Sequence, residues 1–340
     1  MTKRRVTLKD LAQETGFDKS TISRVLRNDP TLSIRQENID WIKQIALKLN
    51  YVPDAAGRSL QSSRSFTIGA LIPSLQNPIH AQIIEGASMA CRRRGYSLII
   101  AQAERPETQP EVLRELVERN RVDGLLALTY RGGFLALPSV SDIPILPVNW
   151  RSDDFPNWVI VNEEPGAHLA TRHLLDLGHR RIAFLSGDLG RFNANERFKG
   201  YARALDEAGI ALDPALIEVG DYSYEGGFRA MNLLLDRKAG QFSAVFVVSM
   251  LAGLGALNAL KKRNIQVPAQ VSVSAVHDGI IAEIVSPSLT CVVYPLTRMG
   301  ELAADGIIDL IEKHRVSVHE VVGDFRLVRR ESTAEISTPG

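Results

Sequence analysis

Residues 6–27, VTLKDLAQETGFDKSTISRVLR, constrain this chain more than any other stretch. Read at helical spacing they give two short helices around a tight turn. Thr7 can cap the first, because its hydroxyl can accept from an unpaired backbone N–H, and Asp10 suits the positive end of the helix dipole. Leu8, Leu11 and Ala12 recur at i, i+3, i+4 and share a face. Gly16 stands where the helix must stop, since it alone takes positive φ without a Cβ clash. Asp18 can cap the second helix, which turns Ile22, Val25 and Leu26 inward and leaves Lys19, Ser20, Ser23 and Arg24 outside. Two helices around a glycine turn, the second with an outer face of donors, make a helix-turn-helix. A capped hairpin on an ordinary globular surface has the same local pattern, so the rest of the chain decides between them.

Charge favours the first reading. Residues 1–64 hold twelve Lys and Arg against seven Asp and Glu, a net +5, whereas the whole chain carries +1, which leaves −4 for the remainder. A basic head on a mildly acidic body suits a head that meets phosphate and a body that does not. After the hairpin, Asn28-Asp29-Pro30 reads as a turn, and Ser33 with Gln36 as a capping box for a third helix reaching about Leu49. That helix buries Ile39, Ile42, Ile45, Ala46 and Leu49. Pro53 ends this headpiece, residues 1–53. Residues 54–65 can form a helix but have too few apolar side chains for a core, so they read as a linker that orders only on a surface.

From Phe66 the texture becomes strand–helix alternation, the signature of parallel α/β sheets. FTIGALI, YSLIIAQ, DGLLAL and IPILPV read as strands, with helices beginning near Ile79 and Pro110. A second series runs RRIAFLS, a helix near Phe198, LIEVG, a helix near Gly226, SAVFVVS, a helix near Leu254, and VSVSAV. LTCVVYP, a helix from Leu296 and FRLVRR close it. Two such series predict two lobes with a ligand-sized cleft between them. Residues 332–340 lack heptads and read as a loose tail. No apolar run reaches membrane-spanning length, and the polar start MTKRRVTLKD predicts no secretory signal and a cytoplasmic location. Cys91 and Cys291 fit no metal spacing and read as small buried hydrophobes.

VTLKDLA, STISRVL and LNYVPDAAGRSLQSSRS in the head, with GHRRIAFLSG, ERFKGYARAL and PSLT in the body, resemble the lactose/galactose repressor family over nearly the whole chain. The resemblance implies a repressor that binds a palindromic operator as a homodimer: headpiece, hinge helix, and a two-lobed body (residues 66–331) like a periplasmic binding protein. It places the lobe crossings near Asn162, Leu289 and Asp324, with a first lobe of 66–162 and 290–323 and a second of 163–289 and 324–331. It assigns base reading to Lys19, Ser20 and Arg24. Arg can fork onto guanine O6 and N7, and Lys and Ser can donate to base edges. Thr7, Ser23 and Tyr51 suit phosphates, and Leu60 matches a hinge leucine wedged into the minor groove. Arg27, Asp54 and Gly57 depart from the usual residues, and Gly57 softens the hinge helix.

In the cleft the resemblance makes Arg197 of ERFKGY an effector-binding residue, joined by Ile79, His80, Asn149, Trp150 and Tyr222. Ser249-Met250 replaces a usual Asn-Asp, and His277 replaces an Asp, so the carboxylates that grip sugar hydroxyls are thinned out. Arg197, Ser249 and His277 together point to an acidic or aromatic metabolite, or a modified sugar. The alternative is a regulator with no effector, or one answering to a partner protein. No G-x-S-x-G elbow, P-loop or metal cluster supports an enzyme, and no cofactor is expected. Without a heptad segment after Arg330 the assembly should stop at a dimer.

Overall fold

The computed structural model describes residues 6–26, 29, 31–51, 64–103, 105–119, 122–129, 143–238 and 240–336. Two compact units, Met1–Ser65 and Phe66–Gly340, divide the chain.

In the first unit, α1 (Leu8–Thr15) and α2 (Lys19–Leu26) form the hairpin, and α3 (Gln36–Lys48) closes over them. Thr7 caps α1 in a reciprocal box with Asp10, and Gly16 ends it at φ 79°. Asp18 caps α2, accepting from the Ser20 and Thr21 amides at 2.8 and 2.9 Å. Leu11, Ile22, Val25, Ile42, Ile45 and Ala46 are the core, with Leu26, Ile39, Leu49 and Tyr51 packed around it. The expected Ser33–Gln36 capping box does not form. Arg35 is the N-cap, so Gln36 sits two positions too early to reach back, and its amide donates to Asp40 at 2.9 Å instead.

The second unit has two lobes. In the first, β1 (Thr67–Ile72), β2 (Ser97–Gln102), β3 (Gly124–Ala127) and β4 (Ile145–Pro147) form a parallel sheet in the order β2-β1-β3-β4. A bridge from Val148 to Val159 carries it on to β5 (Trp158–Val161) and β11 (His319–Val322). In the second lobe, β6 (Ile182–Ser186), β7 (Ile217–Val219), β8 (Ala244–Val247), β9 (Ser272–Val276), β10 (Thr290–Val293) and β12 (Arg326–Val328) lie in the order β12-β10-β9-β8-β6-β7. Only β12 in that sheet runs antiparallel. β1, β3, β6, β8 and β9 are buried along almost their whole lengths, as strands covered on both faces must be.

Helices cover the sheets in close pairs. α4 (Pro78–Arg93) packs on α11 (Leu296–Glu312), with α5 (Gln109–Arg114) nearby in the chain; α6 (Glu163–Asp176) packs on α7 (Phe192–Glu207), and α8 (Tyr224–Lys238) on α9 (Met250–Lys262). A short α10 (Ile280–Ile284) follows β9. Backbones meet where α4 crosses α11: a Cβ on Gly86 would lie 1.9 Å from Thr297 O, and one on Gly300 1.9 Å from Ile83 O.

Further details differ from the sequence reading. The helix expected near Phe198 begins at Phe192. Thr290–Val293 pairs with β9 and β12, so the chain leaves the second lobe after Val293 and not at Leu289. The segment read as a loose tail is fixed as far as Ile336. Ser332 is fully buried, its carbonyl accepts from Val273 N at 2.7 Å, and Ile336 N donates to Leu177 O at 2.9 Å. Backbone pairing and hydroxyl groups hold it, neither of which leaves a periodic pattern. Residues 337–340 lie outside the described residues. Cys91 and Cys291 are both buried free thiols, and burial pushes that of Cys91 up to about 12.

Candidate DNA-reading helix and interlobe cleft

Asp18 anchors the start of α2, and Ile22 and Val25 fix its rotation by burial. That leaves Lys19 and Ser20 exposed and Ser23 and Arg24 half-buried. Arg24 does not float in solvent. Its Nε donates to Asp29 Oδ2 at 2.8 Å and its Nη2 to Thr31 Oγ1 at 2.8 Å. Asp29 Oδ1 in turn accepts from the Thr31 amide and hydroxyl at 2.8 and 2.7 Å. Hydrogen bonds from Arg24 and Thr31 hold the Asp29 carboxyl well below the usual carboxylate range. Thr7 gives its hydroxyl proton to Asp10, and Tyr51 packs on the headpiece core. Arg27, Leu60 and the rest of the expected hinge up to residue 63 lie outside the described residues, as do Lys3, Arg4 and Arg5.

In the second unit, parallel strands direct their C-terminal ends at the cleft, where open α/β sheets bind ligands. Asn149 follows β4 and the Val148 bridge, and His277 follows β9; both adopt positive φ, 67° each. Arg197 reaches the cleft from α7 but is 1% exposed. Glu163, the first residue of α6, grips it bidentately, accepting from Nε and Nη2 at 2.8 Å each. Arg197 Nη1 donates to Val248 O at 2.7 Å. Burial opposes the Arg197 charge, but the Glu163 carboxylate outweighs it and raises the pKa. Tyr222 and Tyr294 present ring faces with centroids 5.6 and 6.0 Å from Arg197 Cζ.

His277 is also 1% exposed, and burial, reinforced by Arg197 and His80, drives its pKa well below the usual value. Its ring is therefore neutral. Nε2 lies 3.2 Å from Arg197 Nη2, which can only donate, so the proton belongs on Nδ1. That Nδ1 and the buried Asn149 Oδ1 have no partner among the described residues, nor do Ser186 Oγ and Asn193 Oδ1. All four atoms lie at or just beyond the C-terminal ends of parallel strands: Asn149 after β4, Ser186 and Asn193 after β6, His277 after β9.

The other expected cleft residues have partners of their own. His80 is buried, and its Nδ1 lies 2.7 Å from Ser74 O. Ile79 packs on the main core. Trp150 donates Nε1 to Ala127 O at 2.7 Å and meets Phe155 edge-on, ring centroids 5.4 Å apart, within a small core of the first lobe. Ser249 caps α9 and donates to Tyr222 O at 3.1 Å. Gln82 of α4 donates across the lobes to Asp278 O at 3.0 Å. A separate trough of about 660 Å³ is lined by Arg151, Asp153, Phe155, Trp158, Phe192 and His319. None of the four atoms at the strand ends belongs to its walls, nor does either of the other two buried atoms without a partner among the described residues, His173 Nδ1 and Ser274 Oγ, so the polar cluster around Arg197 and His277 has the better claim as the binding site. Glu163 carries no signal in the sequence, because Glu163-Glu164-Pro165-Gly166 reads as a turn.

Bacterial regulatory proteins of the lacI family match residues 7–54, and the periplasmic binding protein-like domain matches residues 171–333. The ribose operon repressor of Escherichia coli (strain K12) is 34% identical over 310 residues, 90% of this chain and 93% of that one. The transcriptional repressor PurR of Erwinia tasmaniensis is 32% identical over 335 residues, 97% of each chain. Among solved structures, a lac repressor dimer bound to operator and the anti-inducer ONPF superposes with a TM-score of 0.76 at 26% identity, covering 97% of this chain and 100% of that one. The regulator CelR in complex with cellobiose gives 0.73 at 29% identity, covering 96% and 100%.

Proposed function

The chain belongs to the lacI family of bacterial regulatory proteins and is a sequence-specific DNA-binding transcriptional regulator, and from that premise we propose that it is a cytoplasmic repressor binding a palindromic operator as a homodimer. Lys19, Ser20 and Arg24 read base edges, Thr7, Ser23 and Tyr51 hold phosphates, and Leu60 enters the minor groove. Two-fold symmetry gives each protomer one half-site. The solvent-facing isoleucines of α10, Ile280 and Ile284, at 66% and 71% exposure, favour a partner subunit that covers them.

The effector lies between the lobes and is neutral and rich in hydroxyls, a modified sugar before an acid. An acidic ligand was expected because a cleft arginine looks for an anion. Glu163 already supplies that anion, and His277 adds no charge. A second carboxylate there would meet no uncompensated cation. What carries this reading is the pair of buried, unpartnered atoms, Asn149 Oδ1 in one lobe and His277 Nδ1 in the other. One can accept and the other donate, as a hydroxyl on each side requires. A ligand joining both lobes favours closure by its difference in affinity for the two forms.

Calorimetric titration with neutral sugars, sugar acids and aromatic acids, alongside operator release, tests it. A neutral sugar should bind wild type, and Asn149→Ala and His277→Ala should each weaken it by about 1–3 kcal/mol. Tight binding of an acid would refute the neutral class. No binding across the panel with operator affinity unchanged would favour a partner-controlled or effector-independent regulator. Arg197→Ala is a poor probe, since it strands Glu163 and costs about 3–5 kcal/mol of stability.

A further inference from the structure

We propose that Asp29, assisted by Thr31, sets sequence specificity by presenting Arg24 in a fixed orientation to the base it reads. The inference rests on the base-reading role of Arg24 proposed above. A guanidinium has two edges that can donate in pairs. Asp29 and Thr31 occupy one, through Nε and Nη2 at 2.8 Å each. Nη1 makes no hydrogen bond among the described residues and Nη2 keeps a second proton, so the Nη1/Nη2 edge can still present the parallel N–H groups that match guanine O6 and N7. Thr31 is oriented in turn by donating its hydroxyl and amide to Asp29 Oδ1, which leaves a hydroxyl lone pair to accept from Arg24 Nη2.

Stability does not account for this arrangement. The side chains of Arg24 and Asp29 are 35% and 28% exposed, and ion pairs open to solvent stabilise a fold little. Raw affinity does not account for it either. A carboxylate beside the recognition helix neutralises an arginine and repels phosphate, which lowers binding to every sequence. What the carboxylate provides is order: a long, flexible side chain held in one orientation before DNA arrives loses less freedom on binding, and only where a base can accept both protons. Asp29 is thus a positioning residue, acting on sequence preference through Arg24.

The opposed signs make the test decisive. Asp29 also shapes its turn by accepting from the Thr31 amide. Asp29→Asn keeps one acceptor for that turn while replacing the oxygen that faces Arg24 Nε with a donor or removing its charge. The full-length protein is measured by fluorescence anisotropy on a duplex obtained by selection, on a set with each base pair replaced, and on random duplex. Arg24→Ala identifies the base pair whose replacement ceases to matter. At that pair Asp29→Asn should cut discrimination by about three- to tenfold, and Thr31→Val by less. Other pairs should be unaffected, and binding to random duplex unchanged or tighter. In the Arg24→Ala background, Asp29→Asn should have no effect at that pair. Equal weakening on all duplexes, or full discrimination in Asp29→Asn while Arg24→Ala abolishes it, would overturn the proposal. If Arg24→Ala itself alters no base preference, the base-reading role falls and this inference with it.

Discussion

His80, His173, His179 and His277 are all buried, and in each the pKa lies below the usual value with burial as the leading cause. His173 is the best defined, lowered to about 4 by burial and then by Arg329. A group whose pKa falls on folding binds its proton more readily in the unfolded chain. Stability is therefore complete above about pH 6.5 and is lost as pH falls towards 4. The shift at His173 corresponds to at most about 3 kcal/mol. Urea denaturation at pH 7.5 and pH 5 should show the loss, and His173→Gln should remove part of it; equal stability of the variant at both pH values relative to wild type would contradict this. At this scale the sequence was legible where a motif named the residue and silent on its partner. ERFKGY pointed to Arg197, and nothing in Glu163-Glu164-Pro165 distinguished a buried counter-ion from a solvated carboxylate in a turn. Arg24 likewise read as an exposed donor, because a contact five residues along to Asp29 follows no helical spacing.

The C-terminal segment, residues 332–336, works as an unregistered edge of the second lobe. Ser332 Oγ accepts from Thr290 N at 2.8 Å and donates to Val273 O at 2.6 Å. Thr333 Oγ1 lies 2.9 Å from His173 Nε2, and Ala334 O 3.1 Å from His179 Nε2. Ser332→Ala leaves a buried amide without its acceptor and should destabilise the body by about 1–3 kcal/mol. Urea midpoints of the two proteins would measure it, and a change near zero would mean the segment is dispensable. Elements with strong apolar runs were legible: every strand read from β1 to β4 and from β6 to β10 is present within a residue or two of its expected span. Short or polar ones were not. β5 is apolar throughout but only WVIV, β11 reads HEVV, and the two pair far apart in sequence. α6 opens Glu-Glu-Pro-Gly, which reads as a turn, although Pro is tolerated in a first helical turn. Its Gly166 is there for space, since a Cβ would lie 2.4 Å from the Tyr294 ring.

For the molecule as a whole, the division of charge was plain in the sequence, while the state of the cleft was not, because it depends on side chains from Glu163 to Tyr294 meeting in space. The basic residues 1–64 and the acidic remainder, +5 against −4, confine favourable phosphate contact to the head. Affinity for random duplex should therefore fall steeply with salt, with a slope of about −0.9 in log–log form for each phosphate neutralised. Lys3, Arg4 and Arg5 precede the recognition hairpin and carry three of the twelve positive charges of that segment. Replacing all three with alanine should flatten the slope by up to about 2.7 and weaken cognate and random duplex by the same factor. Anisotropy titrations between 50 and 200 mM salt, about the range over which such slopes are resolved, would show it. A slope unchanged by the triple substitution would place these residues off the backbone. A loss larger on cognate than on random duplex would instead make them readers of sequence, the role proposed for the outer face of α2.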